Sequence, residues 1–182
     1  MASGFQLVFL LGSIIGLLTV RAVKYISKTG ERQAENVRKR KSLMKAGLSD
    51  CPARCPSGWT QFGSRCFIFY YQSRKWSDAE KFCISIGGNL ASIHSSDENT
   101  FVSDMINRAS GSRNTWIGGH DAVDERRWLW SDGSSFEYAH WYSNQPDNSG
   151  GNQHCLEINY GGDYWNDMPC TYSRPFVCSR DL

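Results

Sequence analysis

The stretch that decides this chain reads NQPDNSGGNQHCLEINYGGDYWNDMPC and runs from Asn144 to Cys170. Gln145, Pro146 and Asp147 lie about twenty residues upstream of Trp165, Asn166 and Asp167, with Cys155 between the two clusters. Two groups of oxygen-bearing side chains in this order are either halves of one ligand site or two solvated turns. The sequence around them favours the first. Between RWLWS (127–131) and CLEIN (155–159) the chain is polar and Gly-rich, without periodicity. A structureless loop of that length inside a compact domain is usually functional.

The flanks supply the scaffold. CFIFYY at 66–71 is aromatic and β-branched and predicts a strand. SDAEKFCISIG follows, with Ser77 and Glu80 at capping-box spacing, Trp76, Ala79, Cys83 and Ile86 at helical intervals, and Gly87 to close the helix. Ser95 and Glu98 repeat the box before a second helix whose apolar face is Phe101, Val102, Met105 and Ile106. After residue 114 come the short apolar segments TWIGG, RWLWS, CLEIN and RPFVCS, which predict a mostly antiparallel sheet. Trp116, Trp128, Trp130 and Trp165 read as core. The fold class is α+β: two helices, a mostly antiparallel sheet and a long irregular ligand-binding loop.

Length bounds the rest. A chain of 182 residues has room for one ordinary domain and something short. FQLVFLLGSIIGLLTV is an apolar run of 16 residues, below the ~20 that a membrane span needs. Val20 and Ala22 then place small residues at a cleavage position, so residues 1–22 read as a signal peptide. An uncleaved anchor is the rival. Arg21, Lys24 and Lys28 follow the run with nothing basic before it. An anchor would therefore hold the cysteines in the cytosol, so secretion without membrane insertion is expected. Residues 23–50 read as a basic pro-segment or stalk: ERQAENVRKRKSLMKAG has helix-forming composition and no apolar stripe, and Arg38–Lys41 is a processing site or a solvated run.

The net charge of +2 hides an asymmetry. Residues 1–50 hold nine basic and three acidic residues, and the remainder 11 basic and 15 acidic. A mildly acidic domain is a poor nucleic-acid binder, because neutralising phosphates supplies most of that affinity. All seven cysteines lie at or beyond residue 51, in the domain taken as 51–182. Behind a secretory leader they read as a disulfide framework with one thiol over, either Cys51 or Cys55. Zinc finger-like spacing is absent, since the C-x3-C at 51–55 has no matching ligand pair downstream. The four histidines (94, 120, 140, 154) accompany no nucleophile motif, so an enzyme is not expected.

CPSGWTQFGSRCF, the two-helix block, WIGG at 116–119, the QPD loop, WND at 165–167 and the terminal FVC occur in one order. In that combination the chain resembles the C-type lectin-like domain over roughly residues 55–180. Among relatives it is similar to the small secreted lectins of fish, of galactose- or lactose-binding type, and to their type II antifreeze offshoots. The resemblance implies the disulfides Cys83–Cys178, Cys155–Cys170 and Cys55–Cys66. It leaves Cys51 for an interchain bond and a disulfide-linked homodimer.

The resemblance also implies a Ca²⁺ and sugar site made by Gln145, Asp147, Gln153, Asn166 and Asp167, with Pro146 cis. The Gln-Pro-Asp order implies galactose-type ligands, where Glu-Pro-Asn implies mannose. Two departures stand out. Gln153 occupies the position of a family Glu, which leaves two carboxylates in the cage and predicts weak calcium binding. The loop 148–154 also lacks the aromatic ring on which a galactose face stacks, with Tyr142, Tyr164 and His154 as substitutes or as ordinary surface or core residues. At the family's auxiliary calcium site, Asp121 and Glu125 match, but Asn148 and His154 stand where acids are expected. The expected function is a secreted lectin of innate defence that agglutinates microbial surfaces by binding galactose-containing glycans. An ice-binding or protein-binding module on the same fold is the alternative.

Overall fold

The computed structural model describes residues 30, 32–39, 41–42 and 54–182. The expected signal peptide and Cys51 lie outside the described residues. Two compact units divide at Pro52 and Ala53. In the first, residues 32–39 form α1, with every described side chain exposed. Composition allowed that helix; what it lacks is an apolar stripe to bury. Among the described residues no helix is long and apolar enough to cross a membrane.

The second unit is built on one sheet. Its strands are β1 (Thr60–Phe62), β2 (Arg65–Lys75), β3 (Asn89–Leu90), β4 (Thr115–His120), β5 (Leu129–Trp130), β6 (Cys155–Tyr160), β7 (Tyr164–Met168) and β8 (Ser173–Asp181). The path runs β1-β2-β8-β4-β6-β7, with β3 added to β8 and β5 to β4. Every pairing among these strands is antiparallel except β4 with β8. The helices are α2 (Trp76–Ser85) and α3 (Ser96–Ser110).

Strand alternation sorts side chains into two cores. Phe67, Ile117 and Val177 point into one with Val102 and Ile106 of α3. Their neighbours Ile68, Trp116, Phe176 and Cys178 point into the other with Ala79 and Cys83 of α2. Burying each large apolar side chain is worth about 1.5–3 kcal/mol. Trp116, Trp130 and Trp165 are fully or nearly fully buried, and Trp128 packs partly buried against the first core. WIGG needs its glycines for closeness. A Cβ on Gly118 would stand 2.5 Å from the Leu90 carbonyl oxygen, and one on Gly119 would stand 2.6 Å from Leu156.

The predicted helices form, with one correction at a cap. Ser95 caps α3, its hydroxyl accepting the Glu98 N–H at 3.2 Å. Ser77 does not cap α2, which begins at Trp76 without a side-chain cap. Glu80 instead reaches β3, accepting the Leu90 N–H at 2.7 Å and the Asn89 amide at 2.6 Å. A tertiary acceptor role displaces the local one. The disulfides are Cys55–Cys66, Cys83–Cys178 and Cys155–Cys170. Cys83–Cys178 ties α2 to β8 across 95 residues, a closure worth about 4–5 kcal/mol in the chain-entropy account.

Candidate functional site

Asn166 and Asp167 sit in the middle of β7, paired with Glu157 and Leu156 of β6. They are strand residues, both buried. Trp165 holds them in register. Its indole N–H donates to Asn99 Oδ1 at 2.7 Å, and its backbone bonds His140 O and Tyr142 N at 2.8 and 2.9 Å. Those last two bonds lay the loop segment 140–142 alongside β7. From there the Gln145 N–H closes a turn onto Tyr142 O at 3.0 Å, and the Gln145–Pro146 bond is cis.

The two clusters of the opening stretch meet. Asp167 accepts the backbone N–H of Asp147 at 3.2 Å through Oδ1 and that of Asn148 at 2.7 Å through Oδ2. The next N–H, of Ser149, is shared between Asp147 Oδ1 at 3.0 Å and Gln153 Oε1 at 2.6 Å. Gln145 Oε1 accepts the Asp147 N–H at 3.2 Å. Successive backbone donors thus gather Gln145, Asp147, Gln153 and Asp167. Burial pushes the Asp167 carboxyl above its usual pKa, and the neighbouring Asp147 charge adds to this, against the backbone hydrogen bonds that favour ionisation.

Asn166 is oriented from below. Its Nδ2 donates to Glu157 Oε1 at 3.0 Å, which turns its Oδ1 away from that carboxylate. Glu157 also accepts from Asn114 Nδ2 at 2.6 Å and from Arg174 Nε at 2.7 Å. A fully buried carboxylate is tolerated because each charge-bearing oxygen is hydrogen-bonded. Gln153 is set similarly, with Nε2 directed at Met168 Sδ (3.6 Å) and Oε1 at the loop. The donor set is all oxygen, two carboxylates and three amide carbonyls. That is the ligand chemistry of a hard cation such as Ca²⁺, and an ionised carboxylate has lone pairs for both an N–H and an ion.

Glu157 escaped the sequence reading, and Asn148 entered it only as a departure at the auxiliary calcium site. Glu157 hides in an apolar strand, where its one signal is a lone acid in CLEIN. Asn148 adopts a left-handed φ of 43°. Its Oδ1 accepts the Gln153 N–H at 2.9 Å and its Nδ2 donates to Glu125 at 2.7 Å. Of the three substitute rings, Tyr142 and Tyr164 are exposed and meet edge to face at 5.8 Å, while His154 turns away to Asp121 and Glu125. His94 contacts the hydroxyls of Ser92 and Ser134 through Nε2, and both hydroxyls donate to Asp132.

A family profile described as the lectin C-type domain matches residues 72–180. The chain belongs to the C-type lectin family. It is 50% identical over 129 residues to the galactose-specific lectin nattectin of Thalassophryne nattereri, covering 70% of this chain and 81% of that one. It is 39% identical over 139 residues to lactose-binding lectin l-2 of Anguilla japonica, covering 73% and 82%. Among solved structures, the herring type II antifreeze protein matches with a TM-score of 0.65 and 41% identity, over 70% of this chain and 99% of that one. The C-type lectin fold expected from the motifs is therefore the fold observed.

Proposed function

We propose that this C-type lectin binds galactose- or lactose-type glycans at the site where the 145–153 loop meets β7, and that it is a binding protein rather than an enzyme. The observation that carries the reading is the pair of bonds from Asp147 N and Asn148 N to Asp167, which makes one site of two distant clusters. The similarity to a galactose-specific and a lactose-binding lectin supports it. Gln145, Asp147, Gln153, Asn166 and Asp167 would hold Ca²⁺, which supplies coordination positions for two adjacent sugar hydroxyls. The side chains set which hydroxyls fit. Gln145 offers a donor amide on one side and Asp147 an acceptor-only carboxylate on the other. Tyr142 and Tyr164 are the exposed rings nearest in sequence to the two clusters and the candidates for an apolar sugar face.

Residues 1–22 as signal peptide, 23–50 as basic pro-segment and 51–182 as lectin domain complete the reading, with secretion as the destination. A Cys51-linked dimer would present two sites to a multivalent glycan surface and gain avidity without new contacts. Agglutination of microbes in innate defence is the role such a bivalent lectin would serve. The test is a glycan array read with and without EDTA. Galactose-terminated glycans should lead the ranking, and no glycan signal above background in calcium would end the reading. The likeness to the herring antifreeze protein supports a second reading, ice binding. Thermal hysteresis without glycan binding would select it.

A further inference from the structure

We propose that Asp121, Glu125 and His154 form a second metal site, for a borderline transition-metal dication of which Zn²⁺ is the best fit. The site stands independently of the sugar reading. One donor atom from each residue lies within 4.8 Å of the others. His154 Nδ1 is 3.0 Å from Asp121 Oδ1 and 3.5 Å from Glu125 Oε2. Ligands of a tetrahedral zinc at about 2.0–2.1 Å stand about 3.3 Å apart. The two separations from His154 bracket that edge, and the third lies within 4.8 Å.

The cluster is held by the backbone around it. Asp121 N donates to His154 O at 3.2 Å, fixing the two residues side by side at the end of β4. Asp121 is buried, and its Oδ2 accepts the Arg126 N–H at 2.8 Å, which leaves Oδ1 for a metal. Asn148 Nδ2 donates to Glu125 Oε2 at 2.7 Å. Outer partners of this kind orient ligands and tune affinity. Glu125 is 44% exposed and His154 31%, so an ion has an entry path and a water can take the remaining position.

The chemistry selects the ion. Ca²⁺ asks for about six to eight oxygens at about 2.3–2.6 Å. Here there are two carboxylates, each with an oxygen already accepting a hydrogen bond, and an imidazole nitrogen. Imidazole with carboxylate suits zinc, copper and nickel, and three protein ligands plus water is a common zinc arrangement. His154 therefore shifts this corner from hard-cation to borderline-metal chemistry. The oxygen cage around Asp147 and Asp167 has no such nitrogen.

The experiment is calorimetric titration of the full chain, disulfides intact, with ZnCl₂ and separately with CaCl₂. One Zn²⁺ per chain should bind and survive about a tenfold excess of Ca²⁺. H154A and E125Q should each weaken it by more than about tenfold. Both side chains are partly exposed, so folding should survive, as circular dichroism would check. H154D should move the preference toward Ca²⁺. The proposal fails if no zinc binds, if H154A and E125Q bind it as tightly as the unaltered chain, or if equimolar Ca²⁺ displaces it.

Discussion

Asn166 of β7 donates its amide to Glu157 of β6, its directly paired neighbour, at 3.0 Å, and Glu157 is completely buried. A side chain that faces the proposed ligand is thus aimed by one that never meets solvent. Glu157→Ala would leave Arg174, Asn114 and Asn166 without their shared acceptor. We expect a loss of about 3–5 kcal/mol in urea unfolding, the range for breaking a buried charged pair. Glu157→Gln keeps the volume and should cost less while still misdirecting Asn166, so lactose affinity should fall further than stability does. An unchanged midpoint for Glu157→Ala would show that the network is slack.

The specificity argument rests on the order of donor and acceptor at Gln145 and Asp147. Exchanging it, with Gln145→Glu and Asp147→Asn together, should turn preference from galactose toward mannose in competition assays. Galactose binding that continues unaltered would mean that the triplet does not touch the sugar.

Calcium affinity should be limited by Gln153. With Asp147 and Asp167 as the carboxylates of the cage, we expect dissociation constants of about 10⁻⁴–10⁻³ M. Gln153→Glu should tighten binding and make glycan recognition more sensitive to EDTA. Isothermal titration of both proteins decides the matter. Micromolar affinity in the unaltered chain would refute this account of Gln153.

Acid stability should depend on Asp132, which lies outside the cage. Burial opposes its ionisation, but hydrogen bonds from Ser134 and Ser92 and the Arg65 charge outweigh that and lower its pKa below the usual 3.8. The native carboxyl thus holds its proton less tightly than the unfolded one. Its contribution is complete above the unfolded value and is lost as pH falls through the lower native value. Asp132→Asn should be less stable at neutral pH and show a flatter decline below about pH 4. Parallel curves for the two proteins in thermal melts across that range would contradict the assignment.

The proposed covalent dimer would depend on Cys51. The chain should run as a dimer on non-reducing gels and as a monomer after reduction, and Cys51→Ser should abolish the dimer while the three intrachain disulfides keep the domain folded. A monomer without reductant would rule out the covalent link.

Much of this was legible in the linear sequence, for reasons that differ by element. β2 announced itself because aromatic and β-branched residues fill a strand, and α3 because Ser95 caps locally. β7 did not. Its centre, Trp165-Asn166-Asp167, is polar, and it is buried through hydrogen bonds to Asn99, Glu157 and the loop backbone. β1 and β3 are too short to carry a period. Glu80, with the spacing of a capping residue, serves β3 instead. Asn148 and Glu157 draw their roles from segments distant in the chain, a kind of information that no local pattern holds.

The ligand loop leans on the scaffold without being woven into it. From Tyr142 to His154 no residue is buried, whereas β4, β6 and β8 are buried along most of their length. Exposed substitutions away from special contacts usually change stability by less than about 0.5 kcal/mol. At exposed loop positions that make no such contact, heritable variation can therefore accumulate almost unopposed by folding. A population of such genes could diversify what it recognises, generation by generation, on a skeleton that hardly registers the change.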